Sequence, residues 1–194
     1  MSERKLGASF DRQRAAKPIE TLQLVAFTVG GGPYAVDIMR IKEIINPVTI
    51  TRVPKAPGFI EGVIELRGAI LPIVDLRKRF DLPATEPTRA TKILIVGIDV
   101  GGRRMIVGLI VDGVLEPLRV TREQIRPAPS LAQGETAYFS GVVQRRRGGD
   151  RVVGSTRKTA PVVAEPTDDR IFMVLDLDAI LSSKEKISLA GLDA

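Results

Sequence analysis

The chain has no cysteine, no histidine and no tryptophan. Without cysteine there is no disulfide framework to indicate an oxidising compartment, so the cytoplasm is the expected location. Without histidine, the commonest general base and zinc ligand is missing, which excludes Ser-His-Asp and Cys-His arrangements. The longest apolar run, Met105 to Val111, is far short of the roughly 20 residues that a bilayer-spanning helix needs. The N-terminal stretch M-S-E-R-K-L-G lacks the apolar core of a signal peptide. Glycines occur as two- or three-residue turns and never as G-x-G-x-x-G or G-x-x-x-x-G-K-[ST], so no nucleotide cradle is written in the chain. Carboxylate pairs exist at Asp168-Asp169 and Asp176/Asp178, but the first lies in a loop-like stretch and the second is explained by helix capping. Neither an enzyme nor a cofactor or metal site is expected.

The net charge of +6 is unevenly placed. Residues 1–20 hold five basic and three acidic side chains, and residues 145–170 hold seven and four. The rest of the chain is almost neutral. A basic barrel that binds nucleic acid is the alternative function this distribution allows, through Arg145-Arg146-Arg147 and the N-terminal arm. Against it, aromatics are only 4% of residues and most fall at apolar strand positions, whereas binders of single strands expose aromatic platforms. Solvated arms are the simpler reading, with residues 1–20 a flexible N-terminal arm.

What the chain does contain is a corner written twice. Gly62 to Leu76 (G-V-I-E-L-R-G-A-I-L-P-I-V-D-L) reads as two aliphatic strands hinged at Arg67-Gly68, with Asp75 placed to cap a short helix. Phe59-Ile60-Glu61-Gly62-Val63 aligns with Tyr138-Phe139-Ser140-Gly141-Val142, and Ile73-Val74-Asp75-Leu76 with Val174-Leu175-Asp176-Leu177. Gly62 to Asp75 spans 13 positions and Gly141 to Asp176 spans 35, so the second copy is 22 residues longer. The Gly, Ser, Thr, Pro and charge content of residues 145–170 marks them as an inserted flexible loop.

A hairpin precedes each corner. The first runs from Leu24 through the Gly30-Gly31-Gly32-Pro33 turn, and the second from Ile93 through Gly101-Gly102. The first return strand continues through Ile38, Ile41, Ile44 and Ile45, a spacing compatible with either a bulged strand or a helical turn. Each half is therefore hairpin, linker, corner and Asp-Leu helix. The expected fold is mainly β, a pair of small barrels or sandwiches: residues 21–88 form the first lobe and residues 89–194 the second, with Asn46 to Gly58 an extended linker. A C-terminal helix over 176–192 packs Leu177, Ile180, Leu181 and Ile187 back on a lobe.

With no reactive constellation, the candidate functional surface is one for protein partners. Arg67 at the corner tip can reach a partner or tie down a neighbouring carbonyl or carboxylate; both readings stand. Ile41 and Glu43 lie on the return strand, where Ile41 is core or contact. Gly62 serves backbone geometry or a close approach. A groove between two lobes is a natural dock for a partner helix.

The stretches A-F-T-V-G-G-G-P-Y-A-V-D-I-M-R-I-K-E-I (26–44), P-G-F-I-E-G-V-I-E-L-R-G-A-I-L-P-I-V-D-L-R-K-R-F (57–80), I-V-G-L-I-V-D-G-V-L-E-P-L (106–118) and E-Q-I-R-P-A-P (123–129) together closely resemble the CheW family of bacterial chemotaxis coupling proteins. The resemblance covers residues 22–144 and resumes over 171–190. It implies two SH3-like five-stranded barrels and an adaptor without enzymatic activity. The implied partners are the cytoplasmic hairpin tips of methyl-accepting chemoreceptors and the regulatory domain of a CheA-type histidine kinase. By position, Ile41, Glu43 and Arg67 match receptor-groove residues, and Gly62 matches a position where family function is sensitive, its partner unassigned. Two departures stand out: Glu65 replaces the usual asparagine before Leu-Arg-Gly, placing a negative charge beside Arg67, and the 22-residue insertion is unusual. If the insertion is a loop, deleting Arg147 to Asp168 leaves stability within about 1 kcal/mol, since closure entropy changes slowly with loop length. Thermal denaturation of the deletion variant measures this.

Overall fold

The computed structural model describes residues 20–100, 102–128, 138–145, 170–181 and 185. The chain runs through eleven strands: β1 Thr21–Val29, β2 Gly32–Asp37, β3 Ile41–Ile45, β4 Ile60–Leu66, β5 Ala69–Asp75, β6 Lys92–Val100, β7 Arg103–Val111, β8 Gly113–Val114, β9 Leu118–Thr121, β10 Phe139–Arg145 and β11 Arg170–Leu175. One short helix, α1 (Leu76–Arg79), follows β5, and single 3-10 turns cover Ile38–Arg40 and Arg122–Gln124. No helix among the described residues is long and apolar enough to cross a membrane. The turns follow the glycine signals: Gly30 and Gly31 have φ of 60° and 80°, and Arg67 and Gly68 have 54° and 82°. Two successive left-handed residues give the hairpin turn whose twist matches that of the flanking strands.

The mainly β, two-barrel fold implied by the sequence is the fold observed, built as two sheets. The second has the order β3-β6-β7-β5-β4, and the first the order β10-β11-β2-β1, with β8 and β9 both on the far side of β1. Val114 of β8 lies opposite Phe27, and Leu118 of β9 lies opposite Leu24. Between them Leu115 N donates to Ala26 O at 2.8 Å, so β8 and β9 act as one strand interrupted at Pro117, which has no N–H to offer. Counted that way, each sheet has five strands.

The sheets do not follow the 21–88 and 89–194 division. Hairpin β1–β2 is extended by the second corner, through parallel pairing of β2 with β11 (Tyr34↔Met173). Hairpin β6–β7 is extended by the first corner, through parallel pairing of β7 with β5 (Gly108↔Ile73). Each half of the duplication therefore gives its hairpin to one barrel and its corner to the other. A strand pattern identifies a hairpin but not its neighbour, and two similar corners offer similar edges.

Burial explains why the hairpins hold the centre. In β1, Leu24 and Ala26 face a cluster inside the first barrel with Leu118, Val120, Phe172 and Val174. Val25, Phe27 and Val29 face the other way, into a central cluster with Leu94, Val96, Ile98, Val107 and Leu109 of the second sheet. In β6, Ile93 and Ile95 likewise belong to the second barrel's own interior with Ile64, Leu71 and Ile73. Strands buried on both faces read as unbroken apolar runs rather than alternation, which is how 24–29 and 93–98 are written. Leu177, Ile180 and Leu181 are buried in the central cluster, although residues 177–181 form turns and bends rather than the start of a continuous helix. The remainder of the 176–192 helix (Glu185, itself helical, apart), with Ile187, lies outside the described residues, as do residues 1–19 of the arm and 146–169 of the insertion.

Because each sheet takes strands from both halves, fragments 1–88 and 89–194 expressed separately are expected to lack a cooperative thermal transition. Circular dichroism on each fragment and on the 1:1 mixture tests this, with recovery of structure only in the mixture.

Candidate functional site

The two corners are built alike, and their glycines explain why. Gly62 sits at a bulge between Ile60 and its neighbours on β4, with φ of 147°. A Cβ there would lie 2.1 Å from the Thr51 carbonyl oxygen. That carbonyl accepts from Val63 N at 2.8 Å while Thr51 N donates to Val63 O at 2.9 Å, so the linker lies directly on the edge of β4. Gly141 repeats the device: its Cβ would lie 2.6 Å from Arg126 O, and Arg126 and Val142 exchange hydrogen bonds of 2.9 and 2.7 Å. Asp75 then caps α1, its Oδ1 accepting from Arg77 N at 2.8 Å, and Asp176 Oδ1 accepts from Asp178 N at 2.9 Å. Gly62 thus has a complete account in the fold: close approach, the structural alternative read from the sequence.

The other three expected site residues lie on the second barrel, Ile41 and Glu43 on β3 and Arg67 in the β4–β5 turn. The Ile38–Arg40 turn is capped by Asp37, whose carboxylate accepts from Met39 N at 2.9 Å. β3 starts at once, and its register against β6 slips between Ile41 (opposite Val96) and Glu43 (opposite Ile95), leaving Lys42 as the extra residue of a bulge. The bulge reverses the phase of the strand. Ile41 packs on the central cluster while Ile45, four residues on, packs inside the second barrel. Both features left open by the spacing are present, a helical turn followed by a bulged strand.

Glu43 Oε1 accepts from Arg67 Nη2 at 3.0 Å. β3 and β4 are the two ends of the sheet order, so this ion pair joins its opposite edges and draws the barrel shut beside the β4–β5 turn. The Arg67 side chain is nonetheless 78% exposed and that of Glu43 33%. A pair so open to water contributes at most about 1 kcal/mol to stability, and its donors stay within reach of a partner. Of the two readings of Arg67, the tie to a neighbouring carboxylate is the one observed, and the side chain also faces solvent. Glu65, two residues before Arg67, lies opposite Ile70 on the hairpin, and the carboxylate that Arg67 meets is that of Glu43. Exposed aliphatic side chains flank the pair in sequence, Ile44 at 41% and Val48 at 49% beside Glu43, and Ile70 at 49% beyond Arg67.

The two barrels enclose a shared apolar core. An open cavity of about 500 Å³ lined by Gly58, Phe59, Lys78, Asp81 and Leu82 lies at α1. Beside it the Arg79 guanidinium stacks on Phe59 (4.2 Å) and on Tyr138 (4.8 Å), the matching aromatics of the two corners. Every described aromatic is buried or half-buried, which leaves no exposed platform among these residues for stacking bases.

The protein is thus a two-barrel β module with an aliphatic edge that carries an accessible acid–arginine pair. Comparison with known proteins names it further. The family model for the CheW-like domain matches residues 23–185. The chain is 32% identical over 164 residues to the chemotaxis protein CheW of Klebsiella aerogenes, covering 84% of this chain and 83% of that one. It is 34% identical over 151 residues to the chemotaxis protein CheW of Helicobacter pylori, covering 74% and 87%. The crystal structure of the scaffolding protein TtCheW from Thermoanaerobacter tengcongensis superposes with a TM-score of 0.65 at 31% identity, covering 84% of this chain and 96% of that one. The chain belongs to the CheW-like family, whose members are named as chemotaxis and scaffolding proteins and are not enzymes.

The Gly62 geometry yields a contrast. Gly62→Ala should cost on the order of 3 kcal/mol or more, because a side chain there meets a backbone carbonyl at a left-handed φ. Gly68→Ala, with φ of 82° and nothing within 4 Å of its Cβ, should cost about 1 kcal/mol. Urea titration of both variants separates the two.

Proposed function

We propose that this protein couples the cytoplasmic tips of methyl-accepting chemoreceptors to the regulatory domain of a CheA-type histidine kinase at the inner face of the membrane. That it is a chemotaxis coupling or scaffold protein follows from its family; the particular partners are the proposal. In this reading Ile41, Glu43 and Arg67 form the receptor surface. The supporting observation is the Glu43–Arg67 pair, contributed by opposite ends of one sheet and left accessible. A helical receptor tip would set apolar side chains against Ile44 and Ile70 while its carboxylates compete for the Arg67 fork.

Gly62 acts indirectly, by seating the linker that leads away from β3. The coupling needs no chemistry. Two separate surfaces on one rigid body hold receptor and kinase at fixed spacing, so a change in receptor conformation biases the kinase through differential contacts. The rigidity comes from the shared core between the sheets.

Arg67→Glu is expected to weaken binding to a receptor-tip fragment at least tenfold, as like charges at an interface cost about 1.4 kcal/mol or more, while the melting temperature and kinase binding stay as in the parent. Calorimetric titration against receptor and kinase fragments measures both arms. Unchanged receptor affinity removes this surface from the assignment.

A further inference from the structure

Two bidentate ion pairs join the barrels, and they occupy equivalent places with their charges reversed. In the first corner the residue two past the capping Asp75 is Arg77. Its Nε and Nη2 reach Asp112, just after β7, at 2.6 and 2.7 Å, and Asp112 Oδ2 accepts from Gly30 N at 2.7 Å. In the second corner the residue two past Asp176 is Asp178. Its Oδ2 and Oδ1 accept from Arg40 Nη1 and Nη2, shortly after β2, at 3.1 and 2.5 Å, and Oδ1 also accepts from Asp99 N at 2.6 Å. Each pair ties a corner to the end of the neighbouring return strand in its own sheet. Each carboxylate then holds the first hairpin strand of the opposite sheet near its turn, Asp112 at Gly30 just past β1 and Asp178 at Asp99 near the end of β6.

The second pair has an added reach. Arg40 is the last residue of the turn that opens β3, and its Nε donates to Gly97 O at 2.9 Å, beside Val96. Val96 is the residue opposite Ile41. The Arg40 side chain therefore spans from the C-terminal segment of the first barrel, across β6, to the residue before Ile41. The hydrogen bond to Asp178 raises the affinity of the Arg40 guanidinium for its proton above the ordinary arginine range, against an opposing effect of burial, so the guanidinium stays charged.

We infer that Asp178, through Arg40, is a positioning residue for the strand carrying Ile41 and Glu43. It sets where that strand sits on β6 and so transmits the placement of one barrel to the partner surface of the other. The inference rests on the receptor reading given above. The Arg77–Asp112 pair is the internal control, since it links the sheets equally well but leads into β8 rather than β3.

The test uses the purified full chain with Asp178→Ala, Arg40→Ala, the double variant, Asp112→Ala and Arg67→Glu. Each is titrated with a soluble chemoreceptor hairpin-tip fragment and followed by amide hydrogen exchange over residues 41–45. Asp178→Ala and Arg40→Ala are each expected to weaken binding roughly three- to tenfold, with the double variant no worse than either, as for residues acting through one contact. Exchange over 41–45 speeds up in these variants and not in Asp112→Ala, which binds as the parent does. If Arg67→Glu weakens binding while Asp178→Ala does not, the positioning role is wrong and the receptor reading survives. If Arg67→Glu binds normally, the receptor reading fails. Exchange over 41–45 then decides the positioning role alone, overturning it when Asp178→Ala and Asp112→Ala behave alike. Should Asp178→Ala fail to fold, Asp178→Asn, which keeps an acceptor for Asp99 N but loses the charge, is put through the same measurements.

Discussion

The molecule depends on strands that must bury both faces at once. Phe27 and Leu94 point into the layer between the sheets, while their neighbours Ala26 and Ile93 point into separate barrel interiors. Neither barrel can be completed without the central layer, because half the side chains of its middle strands would otherwise face water. At about 25 cal/mol per Å² of apolar surface, leaving such a layer open would forfeit more than a domain's net stability. The two barrels are therefore one cooperative body.

Duplication supplies the parts and exchange joins them. The glycine bulge, the linker hydrogen bonds and the capping aspartate recur in both corners with similar distances. The copies diverge where the chain needs asymmetry. β3 is a continuous strand, whereas its counterpart is broken into β8 and β9 at Pro117. The ion pairs keep the carboxylate's contact to backbone near the turn end of the opposite sheet's first hairpin strand but exchange which element supplies the arginine. An exposed acid–arginine pair spans the ends of each sheet, Glu43 with Arg67 in the second and Glu116 with Arg145 in the first.

Local structure was largely legible in the sequence, and the pairing between segments was not. Arg67-Gly68, Asp75, the aromatic-x-x-Gly-Val corners and the apolar runs of β1 and β6 stand where the residue pattern places them, because each is decided by backbone conformation or by face-by-face burial. The exchange of corners was invisible, since the competing edges carry similar residues and differ only in the parallel neighbour they receive. For the site, Arg67 and Glu43 were separately visible as charged residues on strand or turn, but their contact depends on closure of the barrel. The roles of Arg40 and Asp178 were hidden for the same reason. Asp178 resembled a spare capping carboxylate, and its partner lies 138 positions away.

The parallel pairing of β2 with β11 also sets the order in which the molecule can assemble. During synthesis the first hairpin leaves the ribosome long before its neighbour exists, while β3 to β7, all of which lie between, can complete their own sheet early. The nascent chain thus carries an unpaired β2 edge and an uncovered apolar face until the last strands emerge, the kind of exposure that engages chaperones. Swapping the hairpins joins the two halves into one body, and it delays closure of the first barrel until β11 has been made.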